Sequence, residues 1–181
     1  MTKSSIRFST FPRTEPPPEF VAKLVELFRA HEAEISTKEL RKGLRSDEVL
    51  AVLADGLAAM GFEAETGKKK NQKIERPVFF GENGSPILNY QIDAYHPTWR
   101  CGLEIEAGRA WMGNAVYRDL IQASVMVGVD FLCLAVPNSY KFNSSGRSTI
   151  SRDYENTRDL ADAVYGHSRV KLPYRLVVIG Y

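Results

Sequence analysis

No apolar run in this chain approaches the length needed to span a bilayer, and no secretory leader is recognisable at its start. A cytoplasmic location with no membrane partner is therefore expected. Cysteine is scarce. Cys101 and Cys133 are the two in 181 residues, without CxxC spacing or a neighbouring histidine cluster, which argues against a disulfide scaffold and for a reducing compartment. The three histidines, His31, His96 and His167, lie far apart, a spacing that disfavours a zinc site. Glycine forms no phosphate loop: Gly81 and Gly84 have neither Walker nor dinucleotide spacing, so no nucleotide cofactor is expected. No internal repeat is visible. An excess of one charge is also missing, the net being +2, so a polyanionic partner would have to meet a local basic surface.

What is present is the composition of an ordinary globular chain, 44% hydrophobic and 25% charged, long enough for one domain with a real core. Residues 1–18 are polar and proline-rich, ending in Pro16-Pro17-Pro18, and are expected to form a flexible or extended arm. Phe20, Leu24, Leu27 and Phe28 recur at helical spacing and predict an amphipathic helix from Glu19 to about residue 33. Ser46-Asp47-Glu48 opens a second helix with acids in its first turn, continued by Leu50, Leu53, Leu57 and Met60 and stopped at Gly61. Strands are expected at 62–66 and 76–80. A helix is expected within 107–128, with Tyr117, Leu120, Ile121, Ser124 and Val125 buried and Arg118, Asp119 and Gln122 facing elsewhere. Residues 131–136 are continuously apolar, as in a strand buried on both faces. Residues 137–152 read as a polar loop, 153–166 as a helix and 173–179 as a closing strand.

The informative stretch is 88–106. Leu88, Tyr90 and Ile92 alternate with Asn89, Gln91 and Asp93; Leu103 and Ile105 alternate with Glu104 and Glu106. Between them, His96-Pro97-Thr98-Trp99-Arg100 supplies a turn. A hairpin centred on Thr98-Trp99 pairs position 97 with 100, and counting outward puts Asp93 opposite Glu104. Asp93, Glu104 and Glu106 then crowd one face. Like charges opposed across a ladder are destabilising, and a divalent cation would neutralise them; oxygen ligands in this number suit Mg²⁺, Mn²⁺ or Ca²⁺ rather than zinc. The competing reading leaves Glu104 and Glu106 on a solvent-facing strand, salt-bridged to Arg100 or Arg109. Gly102 marks either a close backbone approach or a bulge.

Asp-x10-Glu-x-Glu on a β-hairpin followed by a helix resembles the PD-(D/E)xK nuclease superfamily, the restriction-endonuclease-like fold. The element order αβββαβαβ, a mixed α/β sheet flanked by helices, extends the resemblance over residues 46–181 and leaves 1–45 as an N-terminal arm and helix. Ile92 stands where the motif has proline and Glu106 where it has lysine; some restriction enzymes of the superfamily carry glutamate there. The resemblance implies a Mg²⁺- or Mn²⁺-dependent endonuclease hydrolysing DNA phosphodiester bonds. Asp93 and Glu104 would be metal ligands, the Ile105 carbonyl a third, and Glu106 a general base or ligand of a second metal. It also implies an acid from the first core helix, for which Glu48 is the candidate; a carboxylate that simply favours its helix N-terminus is the other reading.

Gln91 could bind a water or a ligand. Arg109 could meet a phosphate oxygen or form a surface salt bridge. Lys68, Lys69, Lys70 and Lys73, with Lys141 and Arg147, are candidate nucleic-acid contacts, set against the reading of solvated surface. Tyr95, Trp99 and Trp111 read as packing rather than as base-stacking platforms. The small size leaves little room for a separate recognition domain, so a homodimer is a candidate assembly. The alternative from another class is a catalytically inactive nucleic-acid-binding or protein-interaction module on the same fold.

Overall fold

The computed structural model describes residues 4–38, 43–108, 110–144 and 146–181. In chain order its elements are β1 (Arg7–Phe11), α1 (Glu19–Ala30), the single turn α2 (Glu32–Ile35), α3 (Ser46–Met60), β2 (Glu63–Ala64), β3 (Ile74–Phe80), β4 (Pro86–Ile92), β5 (Ala94–His96) and β6 (Cys101–Ile105), then α4 (Ala115–Val125), β7 (Phe131–Val136), β8 (Tyr140–Ser144), β9 (Arg147–Ser151), α5 (Asp153–Gly166) and β10 (Arg175–Gly180). Six strands form one mixed sheet in the order β1-β10-β7-β6-β5-β2. The β10/β7 and β7/β6 pairs are parallel and the others antiparallel. The β3–β4 and β8–β9 hairpins stand apart from it. Among the described residues no helix is long and apolar enough to cross a membrane.

Alternation along the central strands sorts the core into two layers. Leu103 and Ile105 of β6, Cys133 and Ala135 of β7, and Val177 and Ile179 of β10 pack with α1, α2 and α3. The intervening Leu132, Leu134, Leu176 and Val178 pack with side chains of α4 and α5. On α3, Leu53 and Leu57 are fully buried, each contributing roughly 1.5–3 kcal/mol relative to exposure. That helix ends at Gly61, whose φ of 96° is left-handed, a conformation glycine adopts without a Cβ penalty. Helix α4 therefore lies on the opposite side of the sheet from α3, over the face that Glu104 shares.

Four expectations need correction. The arm expected over 1–18 contains an edge strand: Arg7 to Phe11 pair with Gly180 to Leu176, so β10's outer edge supplies their backbone partners, and Phe11 is buried. With α1 and α3 side chains in one cluster, both the sheet and the core run across the boundary placed at residue 45. The polar loop expected over 137–152 folds as the β8–β9 hairpin, Tyr140 pairing with Ser151 and Asn143 with Ser148. Finally, α4 begins at Ala115, and its buried face is Val116, Asp119, Leu120 and Ala123. Tyr117, Ile121 and Val125 are exposed, because apolar residues occur on two sides of this helix and the period alone does not choose between them.

Candidate active site

The hairpin register is the one the turn implies: Ala94, Tyr95 and His96 pair with Leu103, Gly102 and Cys101. One step outward lie Asp93 and Glu104, whose side chains share one cleft. Asp93 is the bend between β4 and β5, the point at which the chain leaves the β3–β4 hairpin and enters the main sheet. It is held there by the Ile105 N–H, which donates to Asp93 Oδ2 at 2.8 Å. On the other side, the Glu65 N–H donates to the Asp93 carbonyl at 2.8 Å, so β2, β5 and β6 bring Glu65, Asp93 and Glu104 to one level of the sheet. Gly102 is the close approach rather than a bulge: a Cβ there would collide with Ile92 Cδ1.

Glu104, Asp93, Arg118 and Asp119 line a cleft of about 430 Å³ together with Asn89, Gln91 and Gln122. Burial pushes the Glu104 carboxyl well above the usual range, and Asp93, Asp119 and Glu106 push it further. Burial likewise raises Asp93 to about 6, opposed by the Ile105 N–H and reinforced by Glu65 and Asp119. Glu106 is raised to about 8 by burial and by Asp119, and burial raises Asp119 as well. The guanidinium of Arg118 pairs directly with two of these acids, its Nη2 lying 2.7 Å from Glu106 and 2.8 Å from Asp119. Asp119 Oδ2 is buried with no hydrogen-bond donor among the described residues. Glu104, Glu106 and Asp119 thus share one guanidinium, and Asp93 beside them has Lys73 as its opposing cation, an arrangement that gains from an added positive charge.

The donor atoms are all oxygen, which suits a hard cation. Among the described residues no three His, Cys, Asp or Glu side chains form a group that could hold a metal by themselves. Mg²⁺ commonly takes one or two carboxylates and completes its shell with water and substrate phosphate. Two carboxylates, Asp93 and Glu104, lining one cleft fit that kind of site.

A family model described as "Putative halobacteria restriction endonuclease" matches residues 2–181. The chain belongs to this restriction-endonuclease family. Its fold is similar to that of the solved restriction endonuclease BglII complexed with a DNA 16-mer, at a TM-score of 0.52 and 12% identity over 97% of this chain and 75% of the other. No curated protein matches. The restriction-endonuclease-like fold and the nuclease family are thus established together.

The other candidate residues of this family member are scattered. Glu48 sits at the N-terminus of α3, accepting from the Arg45 N–H at 2.7 Å, the arrangement of a helix cap. Gln91 lies at the cleft rim. Arg109 lies outside the described residues. Arg100 pairs with Asp130 at 2.8 Å rather than with either glutamate. Lys68 and Lys73 line a second cleft of about 800 Å³ that also reaches Asp93, Lys73 being 2.6 Å from Glu65. Lys141 lines a third, of about 420 Å³, beside Ala107 and Gly108. Lys69, Lys70 and Arg147 are exposed elsewhere. Tyr95 and Trp99 are structural: the Tyr95 hydroxyl donates to the Gly128 carbonyl at 2.6 Å, and Trp99 stacks on Phe20 and His96. Helical periodicity alone turns Asp119 and Arg118 away from the core, and so misses them. Their signal is an acid at helical spacing among Val116, Leu120 and Ala123, a position that burial makes costly unless the charge has a use.

Proposed function

We propose that this chain is a Mg²⁺- or Mn²⁺-dependent endonuclease that hydrolyses DNA phosphodiester bonds. The observation that carries the reading is that Asp93 and Glu104 line one cleft together with Asp119 and Arg118, whose guanidinium pairs with Asp119 and Glu106. Asp93 and Glu104 would hold the ion, with the Ile105 carbonyl as a further ligand. A bound ion would lower the pKa of a water, orient the phosphate and stabilise the leaving oxygen.

The remaining steps belong to the chain's own side chains. The Ile105 N–H holds the Asp93 carboxylate beside β6. Glu106, paired with Arg118 at 2.7 Å, would accept a proton from the attacking water once that guanidinium and a bound cation hold its carboxylate ionised. Asp119 orients Arg118, and Arg118, more than half exposed, can turn a guanidinium N–H towards a phosphate oxygen. It offers there the positive charge that Glu106 lacks. Lys68 and Lys73 beside Asp93, and Lys141 in the neighbouring cleft, lie where a backbone leaving the site would pass. Lys69, Lys70 and Arg147 are assigned to outer phosphates. The DNA in the BglII complex supports the choice of polymer.

The test is nicking of supercoiled plasmid with Mg²⁺ or Mn²⁺. Cleavage by the wild type, abolished by Asp93→Ala and by Glu104→Ala, is the expected result. Retained DNA affinity without cleavage, on plasmids of varied sequence, would replace the nuclease by the inactive binding module.

A further inference from the structure

Between Asp130 and Asp153 the sequence has no acidic residue, and its cations are Lys141, Arg147 and Arg152. That interval holds the β8–β9 hairpin, which stands apart from the main sheet. Residues paired across a ladder share a face, so the hairpin has two. On one, the Tyr140 and Phe142 rings stack with centroids 5.8 Å apart and both are half-buried. A Cβ at Gly108 would come within 3.3 Å of the Tyr140 ring. Gly108 is two residues beyond Glu106, so this face seats the hairpin beside the carboxylate strand. Lys141 pairs with Ile150 and Asn143 with Ser148 on the other face, and all four are exposed.

The chemistry of that outer face is mixed in a particular way. Asparagine is depleted in strands, so local preference does not account for Asn143. Its amide offers a donor and an acceptor side by side, the pattern that matches N6 and N7 of adenine. The Ser148 hydroxyl opposite it can donate or accept. Ile150 is 56% exposed, and a branched apolar side chain matches the C5-methyl group of thymine. The major groove of a duplex admits a two-stranded ribbon, and its walls are phosphates, which an acid-free hairpin with Lys141 near its base and Arg147 near its turn complements in charge. The ladder also has the right pitch: residues two apart on a strand are separated by about 6.8 Å, the rise of two base pairs.

We infer that the β8–β9 hairpin is a ribbon that enters the groove, where Asn143 reads adenine, Ser148 adds a polar contact beside it and Ile150 packs on a thymine methyl. The inference rests on the endonuclease reading and adds which side chains choose the sequence that is bound. Asn143 and Ile150 lie one ladder pair apart on this face, so their two bases are separated by about two base steps. Lys141 and Arg147 hold phosphates and carry no sequence information.

The test selects tight-binding duplexes from a random-sequence pool with the full chain in EDTA, so that binding is read apart from cleavage. The wild type should enrich a short motif containing adenine and thymine. Asn143→Ala should lower the ratio of affinities for that motif and for a shuffled duplex by roughly 5- to 150-fold, and Ser148→Ala should lower it less. Uracil in place of the motif's thymines removes the methyl groups; it should weaken the wild type by about fourfold and Ile150→Ala no further. Lys141→Ala should weaken both duplexes alike and keep the ratio. No enriched motif, or a ratio indifferent to Asn143→Ala and Ser148→Ala, overturns the proposal. Plasmid nicking is scored separately: cleavage without a motif sinks the ribbon and leaves the nuclease, and a motif that Asn143→Ala erases, without cleavage, does the reverse.

Discussion

Burial holds the Glu104 carboxyl above its usual range, and three neighbouring acids add to the effect. In the unfolded chain Asp93 and Glu106 ionise near 3.8 and 4.5; in the folded, metal-free chain they do so at about 6 and about 8. Between those values the folded state binds more protons than the unfolded one. The stability this gives is present at low pH and is lost as the pH rises through about 6 and then about 8. Thermal melts of the metal-free protein should therefore show a midpoint that falls over this window. Glu104→Gln keeps the shape and removes a titrating group, so it should flatten the fall and raise the neutral-pH midpoint by about 2–4 °C, or on the order of 1 kcal/mol. The same variant should lose cleavage, separating the group's use from its effect on stability. At Gly102 the expectation is steric: Gly102→Ala drives a methyl group into Ile92 and should lower stability by about 1–3 kcal/mol in chemical denaturation.

At the scale of elements, the carboxylate hairpin was legible because a turn fixes a register and a register fixes which residues face each other. The chain bears this out from Ala94↔Leu103 to His96↔Cys101. The outer strands were not legible. In β8, Tyr140 and Phe142 alternate with Lys141 and Asn143, but the signal is too short to stand out from the serines around it. In β1, five residues lie beside a proline-rich stretch that argues for irregular chain. Asp119 was missed for a different reason. It comes from a helix, and its distance from Glu104 along the sequence carries no information on their distance in space. Two measurements address these elements. Phe11→Ala, which empties a buried position next to Tyr165, should cost about 3–5 kcal/mol if β1 is integral to the sheet; a disposable arm would show almost none of this loss in denaturant titration. Asp119→Asn leaves α4 in place but releases Arg118 from one of its two carboxylates, and should reduce the cleavage rate by roughly 100-fold, with little change in DNA affinity by titration.

For the molecule as a whole, stability and substrate affinity should both respond to ions. Mn²⁺ bound by the folded chain and not the unfolded one raises the melting temperature with concentration. The rise should vanish in Asp93→Ala and in Glu104→Ala, as read by calorimetry. Salt should weaken DNA binding along a linear log–log slope, and replacing Lys68 or Lys73 by alanine should make that slope shallower by about 0.9 for each phosphate that is no longer neutralised. The bend at Asp93 ties these responses to a mechanical one. Strand β4 runs into β5 through this single residue, while Val127 and Arg76 tie the hairpin to the end of α4, so the hairpin is a lever held at two points, one of them Asp93. A duplex that pushed on the hairpin would load Asp93 and the hydrogen bonds that hold it, from Ile105 to its carboxylate and from Glu65 to its carbonyl. Engagement of a substrate at a distance would then be felt as a change of aim at the cleft floor.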